Sequence, residues 1–419
     1  MKKNRLFFSA LSVLVVTGCV ESISDKPTAP PDEVSKTKEL VVPASFDWKT
    51  TVVATCDFTA AAPSVVSVAL ASGDEPFATV GVGGDAEKVV LDIPSSARSL
   101  YVSYPTAGGG SKGQTVAVSN GKASFTLGAD AAPAAVRTRG GNDYDKVIYV
   151  PAVQGGWGTL MFEDLWPAYG DYDFNDFVLN YKIQLYANNK NMVRYMQVGV
   201  RMKAIGGTLP FTPRLRMKGV KGGEISGIED LSREEGYGGM NVPDDAELVQ
   251  LNPGNNVKDP AVLEFRGITT KKHAPAGSAY LNTERGLEMA DGDLISVVYF
   301  FELRNSVAQS GLTFDSFDFF LADANGKEIH FGGVEPTAEG MAIYESESKN
   351  ANTVKAPTFY YSNDRMVWAI NIPEDISHAY EDVDFLRAYP EFAEWVQSGG
   401  TKAQEWYKHG EKANLVSRK

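Results

Sequence analysis

The sequence predicts a mainly β protein, an immunoglobulin-like β-sandwich followed by a larger jelly-roll-like β-sandwich domain with a short C-terminal helix. Three observations point there. From Val41 to Leu127, short runs rich in Val, Thr, Phe and Tyr recur roughly every ten residues, separated by Gly, Pro, Asn and Asp. Beyond residue 147 the apolar residues alternate over longer runs, as a strand with one buried face requires. Helical spacing stands out only near the end, over Asp382–Gln397.

In chain order, Lys2, Lys3 and Arg5 precede an apolar run from Leu6 to Val16, which meets Val16-Thr17-Gly18-Cys19. A basic start and a short apolar stretch mark a secretory signal, too short to cross a bilayer as a helix. Gly18-Cys19 resembles a bacterial lipobox, so residues 1–18 are read as a lipoprotein signal and Cys19 as the lipidated first mature residue. The alternative is an ordinary signal peptide with an incidental cysteine. Residues 19–40, with Pro27, Pro30 and Pro31, are read as a tether. The expected location is the bacterial cell envelope, at the outer membrane, with acyl chains as the anchor. Lipidation would leave Cys56 alone, a small buried hydrophobe in an apolar strand.

The first sandwich is assigned to residues 41–128, with strands near Thr50–Phe58, Ser64–Leu70, Phe77–Val82, Lys88–Ile93, Ser99–Tyr104, Gln114–Val118 and Ala123–Leu127. Asn120-Gly121 suits a type I′ turn. Residues 129–146 are rich in Ala, Gly and Pro and are read as a linker. The second β domain, 147–419, contains strands at Val147–Val150, Thr159–Phe162, Phe177–Tyr186, Val193–Ala204, Leu294–Leu303, Phe314–Ala322 and Glu328–Phe331. Thr208–Thr283 reads as long loops with short strands. In the final helix Pro390 predicts a break and Gly399 a C-terminal cap.

Composition narrows the function. A net charge of -13 argues against nucleic acid as a partner. Four scattered histidines form no H-E-x-x-H, and Walker A and CxxC are missing; G-x-S-x-G and G-x-G-x-x-G occur by letter only in Gly108-Gly109-Gly110-Ser111-Lys112-Gly113, a glycine-rich breaker between two short strands and not the strand-to-helix turn either motif needs. His330 is a candidate metal ligand, although a lone histidine in a strand is more often a satisfied structural residue.

The chemistry concentrates in Glu163–Asp176. Five carboxylates (Glu163, Asp164, Asp171, Asp173, Asp176) and the amide of Asn175 fall within fourteen residues, interleaved with Phe162, Leu165, Trp166, Tyr169, Tyr172 and Phe174. In extended backbone Asp171, Asp173 and Asn175 would share one side. Converging oxygens suit calcium, which takes six to eight of them. The D-x-D-x-N spacing opens like an EF-hand loop, but Asp176 stands where Gly is needed and Lys182 where the bidentate Glu belongs, which argues against an EF-hand. Three readings are weighed: a structural Ca2+ site, Asx turns without metal, and paired-acid catalysis on carbohydrate with Asp171, Asp173 or Asp176 as acids.

Glu163-Asp164-x-Trp166-Pro167 followed by Gly170-Asp171-Tyr172-Asp173-Phe174-Asn175-Asp176-x-Val178 resembles the signature of the LruC-domain proteins of bacterial envelopes. Asn325-Gly326-Lys327-Glu328-Ile329-His330 with Pro336-Thr337 fits the same family. So do Trp368-Ala369-Ile370-x-Ile372-Pro373, Ala388-Tyr389-x-x-Phe392-x-x-Trp395, Ser398-Gly399-Gly400 and Trp406-Tyr407. The resemblance spans roughly Val150–Tyr407 and implies a location and a domain boundary, not a reaction. The expected function is a lipid-anchored binding, adhesion or structural module with a calcium-stabilised β domain and a glycan or protein ligand at the surface. The alternative is a surface carbohydrate-active hydrolase.

Overall fold

The computed structural model describes residues 36–83, 86–133, 137–139, 142–234, 237, 240–354 and 358–417. Cys19, the signal segment and the tether up to residue 35 lie outside the described residues.

Among the described residues the strands form three packed sheets and a two-stranded ribbon. All seven strands expected in the first region are present, from Thr51–Thr59 to Lys122–Thr126. Thr51–Thr59 lies between Glu87–Pro94, antiparallel, and Lys122–Thr126, parallel. Ala78–Val82, Ser64–Ala69, Ser99–Pro105 and Ser111–Ala117 form the opposing layer. Asn120 and Gly121 both have positive φ, 51° and 69°, as a type I′ turn needs, but the strands on either side go to different sheets.

The opposing layer does not stop at the end of the first region. Ala78–Val82 pairs with Lys146–Val150, which pairs with Phe177–Ala187, so one eleven-stranded sheet serves both sandwiches. Phe177–Ala187 shares one edge between Lys146–Val150 and Gly158–Phe162 and gives the other to Met192–Ala204. Ser296–Ala308 and Ile225–Asp230 extend the sheet one way, and Ala369–Ile372 adds to Gly158–Phe162. A five-stranded sheet covers this half: Glu247–Gln250, Pro260–Arg266, Thr212–Lys221, Phe317–Ala322 and Glu328–Ile329. Ring contacts such as Tyr181–Phe319 and Phe162–Phe331 join the two layers.

The outer face of the large sheet is also covered. Leu40, Val42, Phe46 and Trp48 pack with Phe385, Phe392, Trp395 and Trp406 over Met161, Val178, Ala204, Ile370 and Ile372. Phe177–Ala187 is therefore not the half-buried strand its alternation suggests, since Val178 and Asn180 are buried as well. The helix breaks where Pro390 predicts, into Phe385–Ala388 and Phe392–Gln397. Gly399 and Gly400 follow with positive φ, and their amides reach back to the carbonyls of Val396 and Trp395. A ten-residue helix, Met341–Asn350, has no counterpart in the sequence expectations; it buries only Tyr344 and Ser348, too little to show a periodic apolar stripe. Cys56 is fully buried, and burial pushes its thiol up to about 12, so it behaves as the inert hydrophobe its surroundings suggest.

Candidate metal centre

The acidic stretch leaves the strand Gly158–Phe162 at Glu163, whose amide donates to the Trp368 carbonyl at 2.9 Å. Glu163 is fully buried. Its Oε1 accepts the Phe174 amide at 2.8 Å and its Oε2 the Tyr172 amide at 3.2 Å. The chain around it is not the extended run expected from the alternation. Tyr172 and Phe174 take left-handed φ of 59° and 54°, so the segment folds into successive turns. Such a conformation costs a non-glycine residue about 1 kcal/mol. Both rings are fully buried, worth about 1.5–3 kcal/mol each, which is enough to hold the turns. Phe174 packs against Phe385 and Phe392, and Trp166 stacks on Tyr344 at 5.2 Å.

These turns bring oxygens together. Glu163, Asp171 and Asp173 each offer one carboxylate oxygen within 4.8 Å of the other two. Asp173 is buried and accepts the Asn175 amide and Asn175 Nδ2, at 3.1 and 2.8 Å. Asp171 stands exposed at the rim. Asn175 Nδ2 also donates to the Ala379 carbonyl, which fixes the amide's orientation and leaves its buried Oδ1 with no hydrogen-bond partner. Asp164 and Asp176 form an adjoining pair, with the Asp164 amide donating to Asp176 Oδ2 at 2.8 Å and the Leu209 amide to Asp164 Oδ2 at 3.3 Å.

Three glycines keep this space open. A Cβ on Gly170 would lie 1.9 Å from Glu163 Oε2, and one on Gly207 2.4 Å from Asp164 Oδ2. A Cβ on Gly206 would lie 2.1 Å from Asn175 Oδ1 and 2.9 Å from Glu381 Oε2. The amides of Gly206 and Gly207 donate to the carbonyls of Asn175 and Asp176, both at 3.0 Å, tying the loop to the end of the strand Met192–Ala204.

The electrostatics share one direction. Burial, then Asp176 and Asp171, holds Glu163 well above the usual carboxylate range. Burial, then Glu163, pushes Asp173 up to about 10, and burial, then Asp164, pushes Asp176 up to about 8. Asp164 and Asp171 are raised with desolvation leading, and Glu381 rises to about 7 through burial and then Asp171. Lys271 stands nearby, its Nζ donating to the Gly207 carbonyl at 3.0 Å, and Lys327 acts on Asp164 from a bridge to Glu347. Six clustered carboxylates against two offset ammonium groups are short of positive charge. Oxygens in that state are suited to a hard cation.

The six residues expected as ligands thus divide into a converging trio (Glu163, Asp171, Asp173), a neighbouring pair (Asp164, Asp176) and the Asn175 oxygen. Sequence reasoning passed over Glu381, Lys271 and the Gly206-Gly207 step. The acidic run Glu381-Asp382-x-Asp384 was the available signal, but it reads as the first turn of the helix.

His330 lies elsewhere, in a second buried cluster. Its Nδ1 is 3.1 Å from both Asp318 oxygens and its Nε2 is 3.0 Å from Glu328 Oε2. Arg216 donates to Asp318 Oδ2 through Nε at 2.9 Å, and Thr337 to Glu328 through its amide and hydroxyl at 2.8 and 2.6 Å. Both ring nitrogens are engaged, so His330 is a satisfied core residue. Trp395, Trp406 and Tyr407 are likewise buried in the packing of the C-terminal segment.

A family model described as a domain of unknown function, DUF4842, matches residues 191–407. The chain belongs to the DUF4842 family. The DUF4842 segment begins after the acidic loop and contains Gly206, Gly207, Lys271, His330 and Glu381, so the centre joins residues inside and outside it. Among solved structures, the chain is similar to that of a Bacteroides ovatus protein provisionally described as a lipoprotein. The two are 21% identical with a TM-score of 0.68, over 85% of this chain and all of that one, which shows a shared fold. The comparison with curated proteins finds no match. No helix among the described residues is long and apolar enough to cross a membrane.

Proposed function

We propose that the chain is a lipid-anchored protein of the bacterial outer membrane, akin to the LruC-domain proteins, whose β domain is stabilised by a calcium ion at the acidic loop. It serves as a binding, adhesion or structural module. The observation that carries the calcium reading is the convergence of Glu163, Asp171 and Asp173, in a loop that also holds the unpartnered Asn175 oxygen. The anchor rests on Gly18-Cys19 and on the likeness to a protein described as a lipoprotein. Two domains with a linker at 129–146 remain part of this proposal. The hydrolase reading has less support, because Trp166, Tyr172 and Phe174 are buried in the core and leave Tyr169 as the one exposed ring of the loop.

Calcium should raise the melting temperature and a chelator should lower it. Binding to the folded state alone at a hundredfold excess over Kd adds about 2.7 kcal/mol, several degrees for a protein of this size. Asp173→Ala should abolish the response, and Asp171→Asn, at the exposed rim, should weaken it without unfolding the protein. A melting curve unmoved by chelator, in protein found by metal analysis to hold no ion, would leave the Asx-turn reading standing.

A further inference from the structure

We infer that Glu381 is a further ligand of the same cation, so that the ion ties the acidic loop to the C-terminal segment and, through it, braces the strap that follows Thr37. This rests on the calcium reading above. Glu381 is more than two hundred residues from the loop in sequence, yet its buried Oε2 makes no hydrogen bond of standard geometry, the Thr283 hydroxyl beside the carboxylate offering it only a weak one, and Asn175 Oδ1 is a buried atom with no partner. Both atoms crowd the position that a Cβ on Gly206 would take, at 2.9 and 2.1 Å, so they face one small space. Two oxygens on a common calcium ion, each at 2.3–2.6 Å from it, can stand up to about 5 Å apart. Two buried acceptors facing one space that a glycine keeps open are costly without a shared partner, and the surrounding carboxylates favour a cation in that place. Calcium fits better than magnesium, because donors spread over three chain segments make a large, irregular shell and not a tight octahedron.

The mechanical consequence follows the hydrogen bonds outward. Three residues beyond Glu381, Asp384 accepts the Thr37 amide on both carboxylate oxygens, at 3.1 and 3.0 Å, and the Thr37 hydroxyl at 2.7 Å. Asp384 Oδ1 also caps the helix that follows by accepting the Leu386 amide at 3.0 Å. The Phe385 amide donates to the Tyr172 carbonyl at 3.1 Å, closing a circuit back to the acidic loop. Thr37 is fully buried, and the strap after it inserts Leu40, Val42, Phe46 and Trp48 among the C-terminal aromatics. A cation on Glu381 would therefore brace the segment against which Thr37 and the strap after it pack.

The test compares calcium affinity and hydrogen exchange in the full mature chain and its Glu381→Gln variant. Isothermal titration with calcium should give an affinity weaker by at least roughly tenfold in Glu381→Gln, since even residues that only support metal ligands act on that scale. In the unaltered protein calcium should slow amide exchange in residues 163–176, 378–386 and 37–48 together. In Glu381→Gln, saturated with calcium, protection should return to 163–176 and be reduced in 378–386 and 37–48. Equal affinity and equal protection in the two proteins would overturn the role of Glu381 and leave the calcium reading intact. A parent chain that binds no calcium would sink both, and calcium binding gained only in Lys271→Gln would identify the lysine ammonium as the resident cation.

Discussion

Two buried charge clusters sit in the same fold, and they are built to opposite rules. Around His330 the carboxylates of Asp318 and Glu328 meet an imidazole and the Arg216 guanidinium, and the hydrogen-bonding atoms of that quartet are matched in pairs. Burial works against each charge there, but the partners outweigh it, holding Asp318 and Glu328 below the usual carboxylate range and His330 above its ordinary value. In the acidic loop the same burial has no such answer. Glu163, Asp164, Asp171, Asp173, Asp176 and Glu381 all shift upward, and two buried acceptor oxygens make no hydrogen bond of standard geometry. The first cluster is complete within the chain. The second becomes complete only with a cation added.

The largest expected effect breaks the complete cluster. His330→Ala leaves two buried carboxylates without their shared partner, a class of change that costs about 3–5 kcal/mol. Chemical denaturation should show that loss equally in calcium and in chelator, because neither ring nitrogen faces the acidic loop. A loss that vanished in calcium would mean the clusters are coupled and the contrast drawn here is wrong.

Next in size is a change in the open cluster. Gly207→Ala places a methyl 2.4 Å from Asp164 Oδ2, so Asp164 must move. Overpacking of that kind costs about 1–3 kcal/mol, and here it should appear mainly in calcium, as a shortened rise in melting temperature on adding the ion. If the variant loses the same stability with and without calcium, the glycine serves backbone packing and not the cradle.

The contrast also shows what a sequence can disclose. Residue type and spacing were enough to locate the acidic loop, since five carboxylates among large rings in fourteen residues is an unusual composition. Its geometry was not legible. Left-handed turns at Tyr172 and Phe174 exist because Phe385, Phe392 and their neighbours bury the rings, and that packing comes from the far end of the chain. Glu381 was hidden for the same reason. Strands with clear alternation and flanking turns, such as Ser99–Pro105 and Met192–Ala204, were readable within a residue or two. Thr212–Lys221 was not, although Pro213, Leu215 and Met217 point inward between Arg214 and Arg216, because Pro213, Gly219 and the charges look like loop. Arg216 and Asp318 face each other across that strand and its neighbour, so the complete cluster around His330 could not be assembled from sequence either.

The smallest effect is in the pH dependence of the complete cluster. His330 is raised above its ordinary value of 6.5, so its contribution is fully present below that pH and is lost as pH rises through the higher folded value. Asp318 and Glu328 are lowered from 3.8 and 4.5, so theirs is present above those values and is lost as pH falls through the lower folded ones. The cluster therefore contributes most between about pH 4.5 and 6.5. Denaturation profiles taken at saturating calcium, with the open cluster held charged and compensated, should show the parent chain losing more stability than His330→Gln as pH climbs above that window. The glutamine cannot take up a proton, so its profile should be flatter on the alkaline side. Parallel profiles for the two proteins would mean that His330 is neutral in the fold, and the complete cluster would then be a hydrogen-bonded network with one uncompensated carboxylate, closer in kind to the acidic loop than its geometry suggests.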